Sequence, residues 1–239
     1  MQSFTDAALE AIGLIWRFDG DLREIILLSL QVSVSAVAIA ALIGLPLGAW
    51  LAVTQWRFRA VLVALTSTLM GLPPVVVGLV VYLLLSNAGA LGPLQLLYTP
   101  TAMIIAQAIL ITPIITALTR ETLDPLHREY KDQLSLLGVT TRARLATLLW
   151  EGRHGLLTAI LAGFGRAIAE VGAVIIVGGN INHVTRVMTT AIALETSKGN
   201  LALALGLGIV LVCIALVVNT LVLLLGSRMR RQAAQASLP

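Results

Sequence analysis

The chain has 239 residues, of which 58% are apolar and 12% charged, and this balance excludes a soluble domain clothed in charge. The formal net charge is +4 and the pI about 9.8, but the basic residues fall in short clusters beside apolar runs, which argues against a nucleic-acid-binding face. Cys213 is the one cysteine and lies within an apolar run, so there is no disulfide framework.

Residues 1–24 carry five acidic residues against Arg17 and Arg23 and lack the basic start and cleavage site of a secretory signal. The segment is expected to stay in the mature protein, with Leu9, Ile12 and Trp16 at helical spacing predicting a short periplasmic, interfacial helix. Five apolar runs follow, at 25–53, 61–85, 101–118, 156–177 and 201–225, each long enough to cross roughly 30 Å of hydrocarbon as helix. They predict an all-α integral membrane domain of five transmembrane helices over residues 25–226. The first run is longer than a crossing needs and is expected to tilt, kink near Pro46 or protrude.

In the second run Gly71, Leu72, Pro73 and Pro74 interrupt the helical pattern. The two prolines lack N–H donors, which makes Pro73 and Pro74 a candidate hinge or gate. In the third run Thr112, Thr116 and Thr119 share one face, with Gln107 nearby, and Ser29 and Ser33 do the same in the first. Such hydroxyls either line a polar path or bond back to their own helix. In the fourth run Arg166 and Glu170 stand four residues apart, about 15 to 21 Å along a continuous helix from its cytoplasmic start. Each alone would cost roughly 2.5 to 3.5 kcal/mol in the bilayer, so they should neutralise one another, as a packing pair or as a gate that meets an anion. Gly44, Gly48 and Gly163 permit close approach of helices.

Eleven basic residues lie between runs one and two, between three and four, and in the tail 227–239, which holds Arg228, Arg230 and Arg231. Only Arg17, Arg23, Arg186 and Lys198 fall on the other side, so the positive-inside rule places the N-terminus out and the C-terminus in. The loop 120–155 is then the one large cytoplasmic element, mixing six basic with five acidic residues. Pro125 suits the first turn of a helix and Gly138 suits a break, so two short helices joined at the glycine are expected there. The outward histidine, His183, has no second ligand at metal spacing, and His127 and His154 read as ordinary loop residues; no metal site is expected.

Within that loop, residues 130–151 read YKDQLSLLGVTTRARLATLLWE. This resembles the cytoplasmic pattern of binding-protein-dependent ABC importers, Glu-Ala-Ala, three residues, Gly, nine residues, Ile-x-Leu-Pro, with Asp132, Gly138 and Leu148 at the Glu, Gly and Ile positions. Gln133 and Leu134 replace the alanines, and Trp150 and Glu151 replace Leu-Pro. The stretches MGLPPVVVGLVVYLLLS, TPTAMIIAQ, AGFGRAIAEVGAVIIVGGNI and TRVMTTAIALETSKGN are similar to the tungstate and molybdate importer permeases.

The resemblance implies the type I ABC importer permease fold, with an ATPase-coupling loop that includes Asp132, Leu136, Leu137, Gly138, Val139, Thr140 and Leu148. It implies a homodimer of permeases, two cytoplasmic ATPase subunits, a periplasmic oxyanion-binding protein and an inner-membrane location, with tungstate as cargo and molybdate or sulfate as alternatives. No Gly-x4-Gly-Lys-Ser/Thr loop occurs in the sequence, so ATP and Mg are expected on the partner ATPase and no cofactor on this chain. An intramembrane enzyme would need clustered nucleophiles or paired carboxylates, and only Arg166 and Glu170 are ionisable within the runs. A secondary carrier or channel would leave the cytoplasmic loop unexplained.

Overall fold

The computed structural model describes residue 13 and residues 20–236, the side chains of 223 and 225–236 excepted. The expected interfacial helix at residues 9–16 and the basic side chains of the tail lie outside the described residues. Among the described residues all regular structure is helical: α1 Gly20–Val53, α2 Arg59–Met70, α3 Pro74–Leu85, α4 Pro100–Leu136, α5 Thr141–Glu151, α6 Arg153–Ile168, α7 Gly172–Gly178, α8 Met188–Ser197 and α9 Leu201–Ala236, with one 3-10 turn at Gly92–Leu94.

Three of these, α1, α4 and α9, contain a stretch long and apolar enough to cross a membrane. The count rises to five if α2 with α3, and α6 with α7, are each taken as one broken span. The chain divides into two compact units to which the long helices contribute in turn. The first comprises the described residues up to Ala36, Pro73–Ile109 and Gly165–Val218; the second comprises Val37–Leu72, Leu110–Phe164 and the described residues from Asn219.

Helix α1 is 34 residues long and stays helical on both sides of Pro46. Two expectations are corrected. Helix α4 continues from Pro100 through Pro113 and Pro125 to Leu136, so no separate helix opens at Pro125. Packing decides there: Leu123 is fully buried two residues before the proline. The fourth run is not one helix either. It ends at Ile168 and resumes at Gly172, so Glu170 lies in the break and not partway along a continuous span.

The second unit is built on close approach. Ala40, Gly44 and Gly48 recur every four residues on α1, and a Cβ at Gly48 would stand 2.5 Å from the Thr116 carbonyl and 2.6 Å from Thr119 Cβ on α4. Only a hydrogen fits, the small-residue packing expected where lipid supplies no hydrophobic drive. Toward the ends of the same helices, Ala49, Ala52 and Val53 of α1 join Leu123 of α4, Leu148 of α5 and Leu156 of α6 in one apolar cluster. In the first unit Met188 and Ala191 of α8 and Leu207 of α9 form a cluster against Leu22, Ile25 and Ile26 of α1.

Candidate translocation and coupling sites

The first unit contains a buried polar cluster at the break between α6 and α7. The Arg166 guanidinium donates from Nη1 to Glu170 Oε2 at 2.6 Å. Their side chains differ in exposure, 34% for Arg166 against 3% for Glu170, so the carboxylate is interior while the cation keeps an open edge. Glu170 Oε1 accepts from Ala173 N at 3.1 Å, satisfying a free amide in the first turn of α7. The same carboxylate therefore neutralises the arginine and caps the resumed helix, which is why the chain breaks there.

Neighbouring elements close on this point. Thr189 Oγ1 of α8 donates to the Glu170 carbonyl at 2.8 Å. Ser29 of α1 donates to the Ile25 carbonyl at 2.6 Å and accepts from Met188 N at 2.8 Å. Gln107 of α4 donates from Nε2 to the Ala167 carbonyl at 3.1 Å, while its buried Oε1 has no protein donor. Ser29, Ser33, Gln107, Glu170 and Thr189 line one small cavity with Val32, Ala167, Ile168 and Val187. Among the described residues no group of three or more His, Cys, Asp or Glu is placed to hold a metal.

Pro73 and Pro74 also belong to the first unit. Pro73 is extended, at φ −63° and ψ 124°, and its carbonyl accepts from Val76 and Val77, while Pro74 opens α3 at a position where no amide is needed. Thr112 and Thr116 lie in the second unit instead. Thr116 Oγ1 is buried and donates to the Thr112 carbonyl at 2.7 Å, a bond back to its own helix.

The second unit also carries the loop between α4 and α6. Helix α4 closes in a Schellman motif: Gly138 N donates to the Ser135 carbonyl, Val139 N to the Leu134 carbonyl, and Gly138 adopts φ +62°. Thr140 then caps α5, its hydroxyl accepting from Ala143 N at 3.4 Å. Leu136 and Leu137 project at this tip, 89% and 75% exposed, while Asp132 is exposed on the last turns of α4 and Val139 is half-buried. Leu148 does the opposite. It is fully buried in the cluster with Leu123, so it seats α5 on the rest of the unit and does not face outward.

Two features escape the sequence reading. Arg59, at the start of α2, donates from Nε to the Leu51 carbonyl at 2.9 Å and from Nη2 to Asp124 Oδ1 at 2.8 Å; Arg128 donates to Asp124 Oδ2 at 2.6 Å. Arg59 and Asp124 are 65 residues apart, and no local pattern relates them. Thr189 is the second: its bond to Glu170 spans 19 residues, and its only local signal is the hydroxyl pair Thr189–Thr190.

Residues 44–231 match the family described as "Binding-protein-dependent transport system inner membrane component". The chain is 41% identical to a probable anion ABC transporter permease protein of Haloferax volcanii, over 87% of this chain and 90% of that one. It is 40% identical to the tungstate uptake system permease protein TupB of Peptoclostridium acidaminophilum, over 93% and 97%. Against the sulfate transport system permease protein CysW of Synechococcus elongatus the identity falls to 26%, over 90% and 78%. The chain belongs to the binding-protein-dependent transport system inner membrane component family and is a multi-pass permease of the inner membrane.

Proposed function

We propose that this permease carries tungstate across the inner membrane as the membrane subunit of an ATP-driven importer, with molybdate and sulfate as the alternative oxyanions. The observation that carries the choice is the gradient of identity, 40% to a tungstate permease over nearly both full lengths against 26% to a sulfate permease. In this reading the chain crosses the membrane five times, N-terminus out and C-terminus in, and two copies assemble with two ATPase subunits and a periplasmic binding protein. Hydrolysis belongs to the ATPases, which hold ATP and its magnesium.

The tip formed by Leu136, Leu137 and Gly138, flanked by Asp132, Val139 and Thr140, is the ATPase contact, because two neighbouring leucines this exposed at a charged helix end gain most from entering a partner's groove. Leu148 holds that contact in place from below. On the pathway, Arg166 spends one donor on Glu170 and keeps others toward its open side, the donor-rich partner that an oxyanion needs as it sheds water. Pro73 and Pro74 provide the hinge.

The test is uptake into proteoliposomes containing the permease, its ATPase and its binding protein. Tungstate accumulation that requires ATP and survives an equal concentration of molybdate or sulfate supports the assignment; preferential uptake of either competitor reassigns the cargo.

A further inference from the structure

Resting on the ATP-coupled reading above, we propose that Asp124 is a positioning residue that joins α4, whose tip is the ATPase contact, to the cytoplasmic end of the first span. Two arginines meet at its carboxylate, Arg59 from the first residue of α2 and Arg128 from within α4, and Arg59 carries the contact on to the end of α1. Helix α1 stops at Val53, and its last carbonyls lack helical partners; the Leu51 carbonyl takes Arg59 Nε at 2.9 Å. The same guanidinium reaches Asp124 Oδ1 at 2.8 Å, and the other carboxylate oxygen takes Arg128 at 2.6 Å. One planar, rigid fork thus fixes the end of α1 against the far part of α4.

The adjacent residue, Leu123, is fully buried against Leu148 of α5 and Ala49, Ala52 and Val53 of α1. The two kinds of contact do different work. Apolar attraction resists separation but has no direction of its own. Charge-assisted hydrogen bonds in a fixed fork resist sliding. Together they make a push on the tip of α4 a rigid displacement of the end of α1. The ion pairs are not there for stability alone: side chains about one-quarter exposed, 27% for Arg59 and 21% for Asp124, form pairs of modest worth.

The test is the ATP consumed per tungstate imported, measured in the complete reconstituted importer. Asp124→Asn is expected to keep ATPase stimulation while this ratio rises about fivefold, the low end of coupling between sites. Asp124→Glu, which can rebuild both bonds, is expected to return the ratio to within about twofold of the native value. Arg59→Lys keeps the charge but not the fork, and it is expected to raise the ratio as Asp124→Asn does, which keeps the test decisive if the asparagine variant fails to assemble. A native ratio in both Asp124→Asn and Arg59→Lys, or lower activity at unchanged ratio, overturns the joint and assigns the cluster to stability. A native importer without ATP-dependent uptake overturns the underlying reading instead, before any variant is compared.

Discussion

The two units solve the problem of holding charge in an apolar chain in opposite ways. In the first, a carboxylate is interior and every oxygen of Glu170 has a protein partner, with Arg166, Ala173 and Thr189 converging on one residue. In the second, the charges around Asp124 stay partly exposed, and the interior is mainly apolar from Gly48 down to Leu148, with Thr116, Thr119 and His127 as its buried polar side chains. The first arrangement is costly to disturb at a single atom, because a buried ion cannot find water. In the second, the loss of one charge costs little stability, and shape matters more.

The sharpest way to break this contrast is Glu170→Ala. It strands the Arg166 cation and uncaps α7 at once, so a destabilisation of about 3 kcal/mol is expected, the lower end for breaking a buried pair since Arg166 is partly exposed. Thermal unfolding in detergent measures it. An Asp124→Ala change in the second unit should cost well under half as much, and equal costs would erase the distinction between the units.

Next in size is Leu148→Ala, expected to cost about 2 to 4 kcal/mol through a cavity in the cluster with Leu123 and Leu156. Because Leu148 touches no solvent, transport and stability should fall together. Leu136→Ala at the tip should do the reverse, lowering ATPase stimulation with thermal stability unchanged, since that side chain is 89% exposed. A stable Leu148→Ala protein would remove the seat from under α5.

Gly138→Val follows. No atom stands within 4 Å of where a Cβ would be, so the whole cost is the left-handed backbone, about 1 to 2 kcal/mol for a residue with a side chain. The effect on transport is expected to exceed what that loss implies, because the Schellman turn sets the angle at which α5 leaves α4. Uptake preserved in a Gly138→Val protein would separate the turn from coupling.

Much of this was readable in advance where one residue's chemistry decides its place. Gly138 announces a helix end, Pro73 and Pro74 a break, and paired charges in an apolar run each other's company. Pro125 misled because its local preference lost to the burial of Leu123, and the break at Glu170 was hidden because a carboxylate four residues from an arginine looks the same on a straight helix as at a cap. Leu148 stands at the Ile position of the cytoplasmic pattern, and helical phase turns it inward. Arg59 and Asp124 meet across 65 residues, a distance at which no periodicity speaks.

The smallest expected effect lies at the surface of the first unit, where His183 Nδ1 and Glu24 Oε2 are 2.8 Å apart. The Glu24 carboxylate holds the His183 imidazole above its ordinary pKa, with Asp21 adding to the shift and Arg186 opposing it. A folded-state pKa above the unfolded one means that the pair's contribution is complete below about pH 6.5 and is lost as pH rises through the folded value. His183 also has φ +57°, so the informative variant is His183→Asn, which removes the charge but accepts the left-handed backbone. The melting temperature of the native protein should exceed that of the variant below the ordinary imidazole range and converge with it once the pH has risen past the folded-state pKa. A difference that does not change with pH would mean that the ring's packing against Glu24, and not its proton, holds the loop.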